Sequence, residues 1–204
     1  MKPITKTKPA LQINSVVETE KRLYNIIKIY KKHKADNPDS WIEFAKSQVN
    51  LKEAIRVSSL SINQSNKRHP HQYRLEQKTL NATCDELLLI ERKLKAARTF
   101  DELYQLIMSI DVYGLGPLTR YDIATRIGAY LKLYPDRIYL HAGTRTGAKK
   151  LLGKVDGEYI LKSDLPKPFR SREVTCSEIE DILCIFKDQF NGIDPRLLLV
   201  KSKC

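Results

Sequence analysis

The sequence predicts a mainly α fold, and three observations carry that expectation. Apolar residues recur at the three- and four-residue spacing of helices. A Ser or Thr is followed three residues later by an acid at several helix starts, a pattern in which each side chain satisfies an orphan amide. Sustained strand alternation is absent. The expected architecture is a single-domain helical bundle of six to eight helices, with a helix-hairpin-helix-like element and at most one or two short extended segments.

The elements follow in order. Residues 1–14 carry Lys2, Lys6, Lys8 and two prolines and read as a basic flexible tail, leaving 15–204 as the helical domain. Leu23, Ile26, Ile27 and Tyr30 mark one face of a helix over 16–34, stopped by Asp36-Asn37-Pro38. Ser40-Trp41-Ile42-Glu43 reads as the next start, with Trp41 anchoring packing. Residues 58–74 form an irregular basic loop containing Lys67, Arg68, His69, His71 and Arg74. Thr83-Cys84-Asp85-Glu86 heads a helix with Leu87, Leu88, Ile90 and Leu94. Thr99-Phe100-Asp101-Glu102 heads another, with Leu103, Leu106, Ile107 and Ile110 on one stripe; Ile123, Ile127 and Leu131 mark the helix after it, with Thr119 and Asp122 as a weaker start signal. Arg137-Ile138-Tyr139-Leu140 and Glu158-Tyr159-Ile160-Leu161 are the two short extended candidates. After the break at Leu165-Pro166-Lys167-Pro168-Phe169, Thr175-Cys176-Ser177-Glu178 opens a helix along Ile179, Ile182, Leu183, Phe186 and Phe190, which Asn191-Gly192 closes.

Charge narrows the partner. Across 204 residues, 36 Lys and Arg stand against 24 Asp and Glu, a formal charge of +12. That balance suits phosphate-rich partners, because each neutralised phosphate releases condensed counterions. No run approaches the roughly 18 apolar residues of a membrane span, and the N-terminus lacks the apolar core of a secretory signal. A cytoplasmic protein with no membrane partner is expected. Cys84, Cys176, Cys184 and Cys204 form no C-x-x-C pair and read as reduced thiols. His69 and His71 flank Pro70, while His33 and His141 are remote, so no metal and no cofactor is expected; the two loop histidines are solvated or present a polar lining to a ligand.

The most informative motif is Gly114-Leu115-Gly116-Pro117, set between two helical segments. The glycines allow backbone conformations that a Cβ hinders, and Pro117 suits the first turn of a helix. Amides at that helix start, with the positive end of its dipole, make a phosphate seat. The pattern resembles the helix-hairpin-helix DNA-binding superfamily over about 30 residues. The resemblance implies sequence-independent contacts to nucleic-acid backbone, DNA first and RNA second, through main-chain amides at Gly114, Gly116 and Leu118. Arg120 and Arg126 would add side-chain charge.

The DNA-glycosylase branch of that superfamily is similar in placing a catalytic Asp about twenty residues beyond the hairpin, and Asp136 falls there. The resemblance would give Asp136 the role of stabilising an oxocarbenium-like sugar or activating water. Leu118 occupies the neighbourhood of the lysine that bifunctional members carry. In its own setting, Tyr134-Pro135-Asp136-Arg137, an Asp ordinarily caps a turn. A second unusual stretch runs over 141–150, where Gly143, Thr144, Arg145, Gly147, Lys149 and Lys150 suggest an anion-binding turn, or a Thr144 cap, ahead of a helix ending near Gly153. Its spacing is not that of a phosphate-binding P-loop. Arg145, Lys149 and Lys150 extend the expected contact surface. The alternative from another class is a protein-interaction or regulatory domain in which the glycine turn is only architectural.

Overall fold

The structure, a computed structural model, describes residues 16–194; the expected basic tail over 1–14 and Cys204 lie outside them. The fold is mainly α, as the periodicity predicts. Among the described residues the helices are α1 (Val16–Asp36), α2 (Ser40–Lys46), α3 (Leu51–Ser59), α4 (Gln77–Leu89), α5 (Glu91–Ala96), α6 (Phe100–Met108), α7 (Pro117–Leu131), α8 (Ala142–Leu152) and α9 (Cys176–Ile185). Strands β1 (Ile138–Tyr139) and β2 (Tyr159–Ile160) are the two extended candidates, and they pair antiparallel with Ile138 opposite Ile160. None of these helices is long and apolar enough to cross a membrane.

The chain forms two compact units nested in sequence, Met1–Lys32 with Arg137–Cys204, and His33–Asp136. In the first unit, Leu23, Ile26, Ile27 and Tyr30 of α1 share a core with Leu151 of α8, Phe169, Phe190 and Ile179, Ile182 and Leu183 of α9. The Tyr30 hydroxyl donates to Asp181 Oδ2 at 2.5 Å. Burial and that carboxylate raise the phenol well above its ordinary range, so it stays neutral. In the second unit α7 is central and packs against α2, α3 and α6. Its apolar stripe, Ile123, Ala124 and Ile127, is fully buried.

The caps show where local signals hold and where they do not. Thr99 accepts from the Glu102 amide, and Thr175 and Glu178 form a complete capping box. At α2 the capping oxygen belongs to Asp39, which accepts from the amides of Trp41 and Ile42, so Ser40 is already helical. Thr83 lies inside α4 and donates to the Thr79 carbonyl at 2.7 Å. It satisfies its hydroxyl within the helix, which makes an N-terminal role unnecessary there.

Residues 143–147 are helical, which corrects the expected turn. The helix α8 begins two residues before Thr144, at Ala142, with His141 as its N-cap residue and Gly153 closing it. Thr144 is buried and donates to Glu180 Oε1. Gly143 and Gly147 are there for packing: a Cβ on Gly143 would lie 2.4 Å from Cys184 Sγ, and one on Gly147 would lie 1.9 Å from the Leu183 carbonyl oxygen. The small residues let α8 and α9 cross at backbone distance, and they are not an anion-binding loop.

Candidate functional site

The hairpin begins where α6 ends. Arg120 closes it: its Nε donates to the Leu115 carbonyl at 3.0 Å, and its Nη1 donates to the carbonyls of Ile107 and Ile110 at 2.8 and 3.0 Å. The last carbonyls of a helix have no partner within it, so the guanidinium serves as the C-terminal cap of α6 and fixes the turn. Gly114 takes φ +83°, and Gly116 is the extended residue before α7, with φ −77°. No side chain caps α7; its first internal bond runs from the Arg120 amide to the Gly116 carbonyl at 3.1 Å. Helix geometry therefore gives the amides of Leu118 and Thr119 no acceptor within α7.

Gly114 is a clean test of backbone strain. A Cβ there meets nothing nearer than 3.7 Å, so the penalty of a side chain is conformational. The Gly114→Ala variant is expected to lose about 1–2 kcal/mol, read as a shifted denaturant midpoint with unchanged slope.

Arg126 departs from its expected role. It is only 2 % exposed, and Nη1 donates to Ser61 Oγ at 3.0 Å while Nη2 donates to Gln72 Oε1 at 3.3 Å. Burial pulls its pKa down, opposed by the charges of Asp122 and Asp39. A guanidinium held this way ties α7 to the 58–72 segment and is not a surface cation for a phosphate. Asp136 is an exposed residue in the bend after α7. It is not among the side chains lining the open groove of about 560 Å³ between α5 and α6, which includes Ala96, Ala97 and Leu106.

The cations of α8 belong to the other unit. Lys149 is exposed. Arg145 donates to the Gly157 carbonyl at 2.8 Å, and Lys150 pairs with Asp188 at 2.7 Å, holding that carboxyl below its usual range.

The sequence reading did not anticipate the cluster formed by His69, His71 and Asp122. A 3-10 turn over Pro70–Gln72 places both imidazoles together, with ring centroids 4.6 Å apart. The His71 Nδ1 lies 3.0 Å from Asp122 Oδ2, which also accepts from Gln72 Nε2 at 2.7 Å. Trp41 meets His69 edge to face at 4.7 Å and donates to the Lys67 carbonyl. Burial, then the Arg126 charge, lowers the His69 pKa to about 4, so the ring is neutral at pH 7. For Asp122, burial acts upward, but the His71 ring, Arg126 and Gln72 outweigh it and hold the carboxyl below its usual value. The local signal in the sequence was His69-Pro70-His71, which holds two imidazoles close, whereas Asp122 joins them from 51 residues on.

No family model, no curated protein and no solved structure matches the chain.

Proposed function

We propose that the chain binds nucleic acid, DNA in the first place, through the phosphate backbone at the glycine hairpin. The observation that carries this reading is the start of α7. Two glycines lead into a 15-residue helix that opens on Pro117 and whose first amides no side chain caps, and a Cβ added at Gly116 would meet nothing within 4 Å. Donors without an internal acceptor, together with the positive helix end, favour an anion there. The formal charge of +12 supplies the long-range attraction that brings a polyanion to the surface. Arg120 acts by holding the hairpin.

The test fills the seat from within. Gly116 has the extended backbone of an N-cap residue, so Gly116→Asp places a carboxylate where it accepts from the first amides of α7. The folded state is expected to be unchanged or slightly more stable. Affinity for a labelled duplex, measured by fluorescence anisotropy, is expected to fall about tenfold, the effect of roughly 1.4 kcal/mol. In the unmodified chain log affinity should fall linearly with log salt, with about 0.9 per phosphate neutralised. Affinity that is flat with salt, or unaltered in Gly116→Asp, would remove this reading.

A further inference from the structure

We infer that His69, His71 and Asp122 form a three-ligand site for a divalent transition metal of the zinc class. The inference rests on geometry separate from the hairpin. One ligand atom from each residue lies within 4.8 Å of the others. Four-coordinate zinc with bonds of about 2.0–2.1 Å spaces neighbouring ligand atoms by roughly 3.3 Å. Rotation of the two imidazoles and the carboxylate about their side-chain bonds closes that difference, about 1.5 Å at most.

The three groups are also the right chemistry. Imidazole nitrogen and carboxylate oxygen together suit zinc and its neighbours better than calcium or magnesium, which favour all-oxygen shells. The His71 backbone amide donates to His69 Nδ1 at 3.2 Å, and this bond gives way wherever that nitrogen's single lone pair is taken by a metal. Asp122 reaches the cluster from α7, a different element from the turn that carries both histidines, so the ligands converge from two sides of the same unit.

Supporting contacts orient the ligands as metal sites require. Gln72 is fully buried and bridges the cluster: its Nε2 donates to Asp122 Oδ2, and its Oε1 accepts from Arg126. The Arg126 guanidinium is thereby turned towards Gln72, Ser61 and Ser58. Trp41 packs its ring against the edge of His69 and restricts that imidazole. The His71 side chain is half exposed, whereas that of Asp122 is 14 % exposed, so the site opens to solvent on the histidine side. Three protein ligands and one open position describe a site that keeps a water or an exchangeable ligand on the metal.

The experiment uses the full chain, stripped with a chelator and titrated with zinc by calorimetry. One equivalent is expected to bind, with X-ray absorption showing only nitrogen and oxygen neighbours at about 2.0–2.1 Å. His71→Ala removes a half-exposed ligand and is expected to weaken binding at least 10- to 100-fold, with an unchanged far-UV spectrum. Asp122→Asn, close in shape to the original, should weaken binding similarly and guards against a folding defect in any one variant. Absence of stoichiometric binding would overturn the inference. So would sulfur neighbours at about 2.3 Å, or zinc affinity in both variants equal to that of the unmodified chain.

Discussion

Replacing Gly147 with alanine is expected to cost about 3 kcal/mol or more, the upper range for overpacking a well-packed contact. Two effects oppose each other at this position. Alanine is the better helix former, by about 1 kcal/mol in a helix interior, and Gly147 lies well inside α8. The added Cβ, however, would stand 1.9 Å from the Leu183 carbonyl oxygen and 2.7 Å from its carbon. These are main-chain atoms of α9, so no rotamer change relieves the clash and the helices must separate. Separation exposes the apolar face that both helices bury around Ile179, Leu183 and Leu151. Packing therefore outweighs propensity. For a chain of this size the loss corresponds to a fall in Tm of roughly 6–12 °C, measured by circular dichroism at fixed protein concentration. Gly116→Ala is the control: its Cβ meets nothing within 4 Å and its φ of −77° suits any residue, so its Tm should move by little. Equal Tm values for Gly147→Ala and the unmodified chain would mean that the crossing is looser than described.

The same glycine shows why part of the fold was legible in the sequence and part was not. Apolar periodicity depends on local spacing, and it located α1, α6, α7 and α9 because each buries one stripe. Thr99 and Thr175 were readable because their partners lie three residues away. The hairpin was readable for the same reason, since Gly114 must supply a positive φ within four residues. Gly143 and Gly147 were misread because glycine is a poor helix former in isolation. Its value here comes from Cys184 and Leu183, some forty residues on. The histidine cluster is a long-range object too: His71 meets Asp122 across 51 residues, a pairing that no local pattern encodes. The core that α1 shares with residues 138–193 likewise depends on contacts that sequence spacing does not reveal.

Arg126 carries the second large effect, and its expected sign separates a core strut from a surface cation. Arg126→Met keeps much of the side-chain volume but removes every donor. Ser61 Oγ and Gln72 Oε1 then lose a hydrogen bond in a site with almost no solvent access, and Asp122 loses a neighbouring charge that holds its carboxyl ionised. Breaking a buried charged network by removing one partner costs about 3–5 kcal/mol, most of it from the groups left behind. Adding Asp122→Asn to Arg126→Met removes the uncompensated charge, so the double variant should be more stable than the sum of the single losses implies. The coupling is expected at about 0.5–3 kcal/mol, from urea unfolding of metal-free protein. Salt supplies the deciding comparison. An exposed cation's contribution is screened as the Debye length shrinks to about 3 Å at 1 M, whereas a guanidinium 2 % exposed sits beyond the reach of that screening. The Arg126→Met loss should therefore be nearly the same at 0.1 and 1 M salt. A loss that vanishes at high salt would return Arg126 to the surface, and with it the phosphate-contact role that its burial takes away.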